Sequence, residues 1–177
     1  MNFAEVKNQI PDYGRDIRLN LESVLSDEGA PGLSRTQIWA VALACAYALS
    51  STELVQAVLT DGQAALDDAT REASKAAATI MAMNNVYYRA THLMDDPELK
   101  KLPARLRMNV IGKPGIAKVD FEVMCFAVSA LAGCGQCLTA HLNELRKVSL
   151  SDEGIQSALR IASVINAADR GLKIAAL

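Results

Sequence analysis

The sequence predicts an all-α fold, a compact single-domain helical bundle, and three observations lead to that prediction. Ala, Leu, Met, Glu, Lys and Arg dominate the chain, while the β-branched alternation that marks strands is nearly absent. Helix starts are signposted by capping sequences. The Gly and Pro breaks between them are short and not low in complexity, so they mark loops and no domain boundary. At 177 residues the chain is long enough to bury a core without disulfide or metal support.

The elements follow in order. A break at Gly29-Ala30-Pro31-Gly32 precedes Ser34-Arg35-Thr36-Gln37, which fits a capping box. The apolar run Ile38 to Leu49 is too short to span a bilayer and reads as a buried helix. Ser50-Ser51-Thr52-Glu53 fits a second capping box and opens the next helix. Breaks at Asp95-Asp96-Pro97 and Gly112-Lys113-Pro114-Gly115 bound the middle of the chain. Asp120 is an N-cap candidate for a helix that Gly133 ends, and Ser151 is one for the last helix. A shift that pairs Gln37 with Glu122 lays the helix, break and helix of residues 36–66 onto 121–151. The duplicated unit would span about 34–90 and 119–175.

Composition excludes several function classes. A formal net charge of -2, with no cluster of Lys and Arg, supplies no field for nucleic acid. The start Met1-Asn2-Phe3-Ala4-Glu5-Val6-Lys7 lacks the basic and apolar regions of a secretory signal. A cytoplasmic location is therefore expected, and there a CxxC pair is catalytic or metal-binding more often than a static staple.

That pair is the most informative feature of the chain. Gly133-Cys134-Gly135-Gln136-Cys137 is followed four residues later by His141, one of only two histidines. On the first turn of a helix, positions 134, 137 and 141 share a face. A free thiol of pKa roughly 8.5 is mostly protonated at neutral pH, and only the thiolate attacks. Helix N-terminal amides, an imidazole and a CxxC neighbour all favour the thiolate. His141 lies one turn beyond Cys137 and can hydrogen-bond that sulfur more easily than Cys134. Geometry therefore makes Cys137 the activated thiol and Cys134 its resolving partner, within disulfide range. Glu122, twelve positions before Cys134, has two readings, of which spacing alone favours the first. It is a first-turn acid favoured by the helix dipole, or a carboxylate folded back to orient His141. A closed zinc site on Cys134, Cys137 and His141 would need a fourth ligand, and none lies at finger-like spacing; no metal is expected.

The pattern Glu122, Cys134-Gly135-Gln136-Cys137 and His141 resembles the active-site signature of the alkyl hydroperoxidase D (AhpD) family. Asp12 to Leu21, Met81 to Arg89, and Met108 to Ile116 through Phe121-Glu122 also resemble that family, so the similarity covers essentially the whole chain. The resemblance implies the helical fold with a repeated unit shared with carboxymuconolactone decarboxylase-like proteins, and homo-oligomers, often trimers. It implies a lipoyl-dependent peroxidase that reduces organic hydroperoxides and regenerates a partner two-cysteine peroxiredoxin. The reductant would be the dihydrolipoyl group of a carrier protein, with no bound cofactor. It implies Cys137 as the peroxide-attacking thiol that forms a sulfenic acid, Cys134 as resolving thiol and proton donor, and Glu122 and His141 as a proton relay. Gln136 departs from the family, which usually has histidine there. A glutamine hydrogen-bonds but carries no proton near neutral pH, so slower turnover or an altered substrate preference is expected. The alternative is a thiol-disulfide exchange protein with little peroxidase chemistry.

Cys45 and Cys125, inside apolar helices, read as small core residues. Trp39, Phe121, Phe126, Met81 and Met83 read as core or oligomer contacts. Tyr87, Tyr88 and Arg89 are candidates for an entrance to the site. Asn84-Asn85 in an apolar helix reads as a structural network or a subunit contact, because buried amides require partners.

Overall fold

A computed structural model describes residues 1–177 and shows ten helices and no strand. Two of them, α3 (Arg35–Ala48) and α8 (Lys118–Ala132), are buried along most of their length, from Gln37 to Ala46 and from Phe121 to Ser129. A helix apolar on all sides has to be enclosed by others, and that requirement sets the layout. The 27-residue α5 (Asp68–Met94) packs on both central helices. The C-terminal α10 (Asp152–Ala175) also packs on both, and on α2 (Arg15–Val24). α4 (Thr52–Asp61) lies against α3, and α9 (Gly135–Lys147) lies against α8 and α5. Short helices complete the chain: α1 (Phe3–Gln9), α6 (Pro97–Lys101) and α7 (Asn109–Gly112). One core of 38 buried residues runs through the bundle. Enclosing a side chain such as Phe121 or Ile38 contributes about 1.5–3 kcal/mol, and alanines on α3 let its neighbours approach.

The capping chemistry is realised unevenly. Ser34 accepts from Gln37 N while Gln37 Oε1 accepts from Ser34 N, at 3.2 and 2.9 Å, completing the expected box. Ser151 accepts from Gly154 N at 3.1 Å, also as expected. The box at Ser50-Ser51-Thr52-Glu53 does not form: Ser50 takes a positive φ of 54° and Ser51 becomes an N-cap without a side-chain bond. Asp120 is not an N-cap either. Helix α8 begins at Lys118, and the Asp120 carboxylate accepts from Gln37 Nε2 at 2.7 Å, tying the two central helices together. Cys45 and Cys125 are fully buried, as are Met81 and Phe121, while Trp39 and Phe126 are nearly so. His92 near the end of α5 is exposed.

Candidate active site

The site is built at the corner between α8 and α9. Gly133 adopts a left-handed φ of 64° beyond the last turn of α8. Its N–H donates to Ala130 O at 3.1 Å and that of Cys134 to Ser129 O at 3.2 Å, the paired bonds of a Schellman ending. The reversal makes Cys134 the N-cap of α9, where its sulfur accepts from Cys137 N at 3.3 Å. Cys134 therefore stands at the helix entrance, whereas Cys137 and His141 share a face inside the helix. Their Cα atoms 5.3 Å apart, Cys134 and Cys137 are joined in a disulfide. Cys134 is wholly enclosed, while Cys137 lines a cavity of about 440 Å³ between α5, α7, α8 and α9. Of the two sulfurs, only that of Cys137 belongs to a residue an entering molecule meets.

Glu122 and His141 line the same cavity. Glu122 is 2% exposed in the second turn of α8, and its Oε2 lies 2.7 Å from His141 Nδ1. The carboxylate is folded back against His141, the placement that the second of the two sequence readings requires. The other imidazole nitrogen differs from expectation: Nε2 lies 3.2 Å from Met81 Sδ, and no hydrogen bond joins His141 to Cys137. Met81 of α5 stands at that nitrogen, and the Cys137 sulfur is bonded to Cys134. Thioether sulfur has no hydrogen to give, so Nε2 is assigned the hydrogen and donates it. Nδ1 is left facing the Glu122 carboxylate at 2.7 Å, a contact through which a proton can pass. Ser129 braces this layer, donating to Asn85 Oδ1 at 3.0 Å with Met81 Sδ 3.5 Å away.

The rest of the cavity is mixed in character. Met108, Ile111 and Ala140 give it apolar wall, while Asn84, Tyr88 and Gln136 add polar groups. Cys137 Sγ is 3.9 Å from the main-chain oxygen of Asn84. At the rim, Lys118 and Lys147 each donate to Glu144, both at 2.6 Å. These ammonium groups pull the Glu144 carboxyl down to about 2, and Glu144 in turn raises Lys118. Tyr88 lines the cavity as an entrance residue would. Arg89 turns the other way, donating to Ala132 O at 2.6 Å beside a separate apolar groove that includes Val86, Leu93 and Leu131. Sequence reading did not find Met81 as the partner of His141, nor the Lys118-Glu144-Lys147 cluster. Met81 is 60 residues from His141, and no local spacing signals such a contact. Lys147 and Glu144 are three apart on one helix, a visible pair, but Lys118 reaches them from another.

The enclosed helical bundle with a CxxC at a helix entrance accords with a wider class of proteins: residues 97–177 match the carboxymuconolactone decarboxylase family. Within it the resemblance sharpens. The chain is 51% identical over 160 residues to the alkyl hydroperoxide reductase AhpD of Coxiella burnetii, covering 90% of each. It is 48% identical to that of Rhodospirillum centenum over 94% of this chain and 88% of the relative. It is 44% identical to that of Brucella suis over 99% and 98%. The chain belongs to the AhpD family.

Proposed function

We propose that this protein is a thiol-dependent alkyl hydroperoxide reductase that cycles between the Cys134/Cys137 dithiol and their disulfide. One observation carries the reading: Cys137 lines a cavity that also holds the enclosed Glu122-His141 pair. The relatives' name, alkyl hydroperoxide reductase AhpD, supports it.

In the proposed cycle the Cys137 thiolate attacks the distal peroxide oxygen. The S–O bond forms as the O–O bond breaks, and the departing alkoxide takes a proton and leaves as the alcohol. Delivery of that proton is assigned to the Glu122-His141 pair acting as a proton relay in the same cavity. Sulfur is oxidised by two electrons to a sulfenic acid. Cys134, already within bonding reach, attacks that sulfur, expels water and forms the disulfide. A dihydrolipoyl dithiol on a carrier protein reopens it by exchange and becomes the cyclic disulfide. Regeneration of a two-cysteine peroxiredoxin uses the same exchange in the opposite role, with the reduced Cys134/Cys137 pair as electron donor. The reaction requires no metal, flavin or haem.

The exposed groove on α3, α5 and α8, with Val86 at 72% and Leu93 at 71% exposure, supports a homo-oligomer, with a trimer proposed. Helix bounds support the duplicated unit. Displaced by the interval from Gln37 to Glu122, α3 overlaps α8, α4 overlaps α9 and α5 overlaps α10. No helix is long and apolar enough to cross a membrane, and cytoplasmic residence is proposed with the fold.

The testing experiment is a single turnover of the fully reduced chain with an alkyl hydroperoxide, with mass spectrometry following Cys134 and Cys137 before and after dihydrolipoamide. Stoichiometric disulfide formation reversed by the dithiol supports the cycle. Thiols left reduced by peroxide, with a preformed disulfide that dihydrolipoamide opens, would support thiol-disulfide exchange instead. Gln136, which lines the cavity without offering a titrating group, is the feature that favours this second reading.

A further inference from the structure

Three buried side-chain polar atoms have no hydrogen-bond partner, on Arg71, Asn84 and Asp169, and only Asn84 lines the active-site cavity. Asn84 is 4% exposed near the middle of α5. Its neighbour Asn85 spends its side-chain oxygen on Ser129, as a structural amide should. The Asn84 carbonyl oxygen is spent on nothing, although a buried amide without a partner destabilises a fold and asparagine is a poor helix former. The structural-network expectation therefore holds for Asn85 and fails for Asn84. A polar group kept at a cost to the fold, in the wall of a reactive cavity, points to a partner that arrives with the chemistry.

We infer that the Asn84 side-chain amide binds the hydroperoxyl group of the substrate at Cys137, its carbonyl oxygen accepting the –OOH hydrogen. The inference rests on the hydroperoxide-reductase reading and extends it to substrate recognition. An alkyl hydroperoxide is apolar except at its two oxygens, and its O–H is its one strong donor. The main-chain oxygen of Asn84 already stands 3.9 Å from Cys137 Sγ, so residue 84 is beside the attacking atom. Oδ1 is itself enclosed, so the bond requires rotation about χ2, a broad torsion in asparagine, to bring the oxygen to the cavity. With the O–H held there, the distal oxygen faces the sulfur and the alkyl group lies toward Met108 and Ile111. On attack the S–O bond forms, the O–O pair departs on the proximal oxygen, and that oxygen gains a proton to become the alcohol. The distal oxygen keeps its hydrogen as the sulfenic S–O–H, so one hydrogen bond to Asn84 persists from reactant to product. A site with a polar group dedicated to an O–H discriminates strongly for it.

The test compares wild type with Asn84→Leu, which has similar volume and no amide; Asn84→Ala serves where the leucine variant does not fold. Reduced protein is mixed with tert-butyl hydroperoxide and with cumene hydroperoxide, and disulfide formation is timed. Opening of the disulfide by dihydrolipoamide and the thermal midpoint are measured alongside. The expected result is a peroxide step slower by roughly tenfold to a hundredfold, the worth of one hydrogen bond to a buried partner. The loss is the same for both peroxides, because the amide reads –OOH and not the alkyl group. The dihydrolipoamide step stays unchanged and the thermal midpoint is unchanged or raised. A peroxide step within twofold of wild type overturns the inference. So does a loss that differs between the two peroxides, or one matched by an equal loss in the dihydrolipoamide step. Wild type that forms no disulfide with either peroxide sinks the reductase reading itself, which separates that failure from the failure of Asn84 alone.

Discussion

The Glu122 carboxylate and the His141 imidazole meet at 2.7 Å from different helices, with both side chains withdrawn from solvent. Charges are costly to enclose unless paired, and removing one partner of such a pair costs about 3–5 kcal/mol. Glu122→Leu is expected to destabilise the chain by that order, and Glu122→Leu/His141→Leu to recover most of it. Denaturant unfolding of the two singles and the double closes the cycle; additive losses would show that the pair does not couple. Glu122→Gln keeps the shape and removes the acid. It is expected to slow the peroxide step by roughly 10²-fold or more, the usual worth of a positioned proton donor. A peroxide step at the wild-type rate in that variant would remove Glu122 from the relay.

Met81 sets the tautomer. With its sulfur 3.2 Å from His141 Nε2, the imidazole is held with that hydrogen in place and Nδ1 toward Glu122. Met81→Leu is nearly volume-conserving and should cost less than about 1.5 kcal/mol. It leaves the Nε2 hydrogen without an acceptor and frees the ring to turn toward Cys137. The expected outcome is a changed pattern of imidazole ¹⁵N shifts together with a changed peroxide rate, at nearly unchanged stability. Identical ¹⁵N spectra in the two proteins would show that Met81 only fills space.

The two remaining cysteines are expected to be inert. Burial pushes the Cys45 thiol up to about 12 from 9.0, and burial with help from the nearby Glu122 charge also raises Cys125 well above its ordinary value. Iodoacetamide at pH 8 should therefore modify Cys137 first in the reduced native protein and leave Cys45 and Cys125 unmodified. The same shift makes a stability prediction. Between pH 9 and about 12 the unfolded chain releases the Cys45 proton while the folded chain retains it, so stability falls as pH rises. The full window is worth on the order of 4 kcal/mol. Denaturant melts from pH 8 to 11 should show a shallower alkaline decline in Cys45→Ala than in wild type. Parallel declines would contradict the assignment.

How much of this was legible depended on the range of the interaction. The helical class, the box at Ser34, the cap at Ser151 and the pairing of Cys134 with Cys137 rest on contacts four residues apart or closer. Local pattern is sufficient for such contacts. Asp120 misled because it has two competing uses, and the tie to Gln37, 83 residues away, prevailed over capping. Glu122 and His141 were visible as candidates, but their contact depends on how α8 turns into α9. Met81, Asn84 and Lys118 each reach the site from a distant element, and nothing in their immediate sequence separates them from core or surface residues. The family resemblance supplied roles for the residues of the motif and none for those three.

The glycines that flank Cys134 provide a last prediction, because the same substitution should act in opposite directions two residues apart. Gly133 holds a φ of 64°, and a Cβ built on it meets no atom within 4 Å, so the cost of Gly133→Ala is conformational and not steric. Placing alanine in the left-handed region costs about 1–2 kcal/mol. Asparagine tolerates that region and should lose less. Gly135 opens α9, has open space at the Cβ position, and does not adopt a left-handed φ. Alanine there restricts the unfolded chain without straining the folded one, and should stabilise by about 0.4–1 kcal/mol. Urea unfolding of Gly133→Ala, Gly133→Asn and Gly135→Ala, all in the disulfide form, measures the three values. A loss in Gly135→Ala as large as that in Gly133→Ala would mean that the corner, and with it the position of Cys134 at the entrance to α9, is set differently from the geometry described.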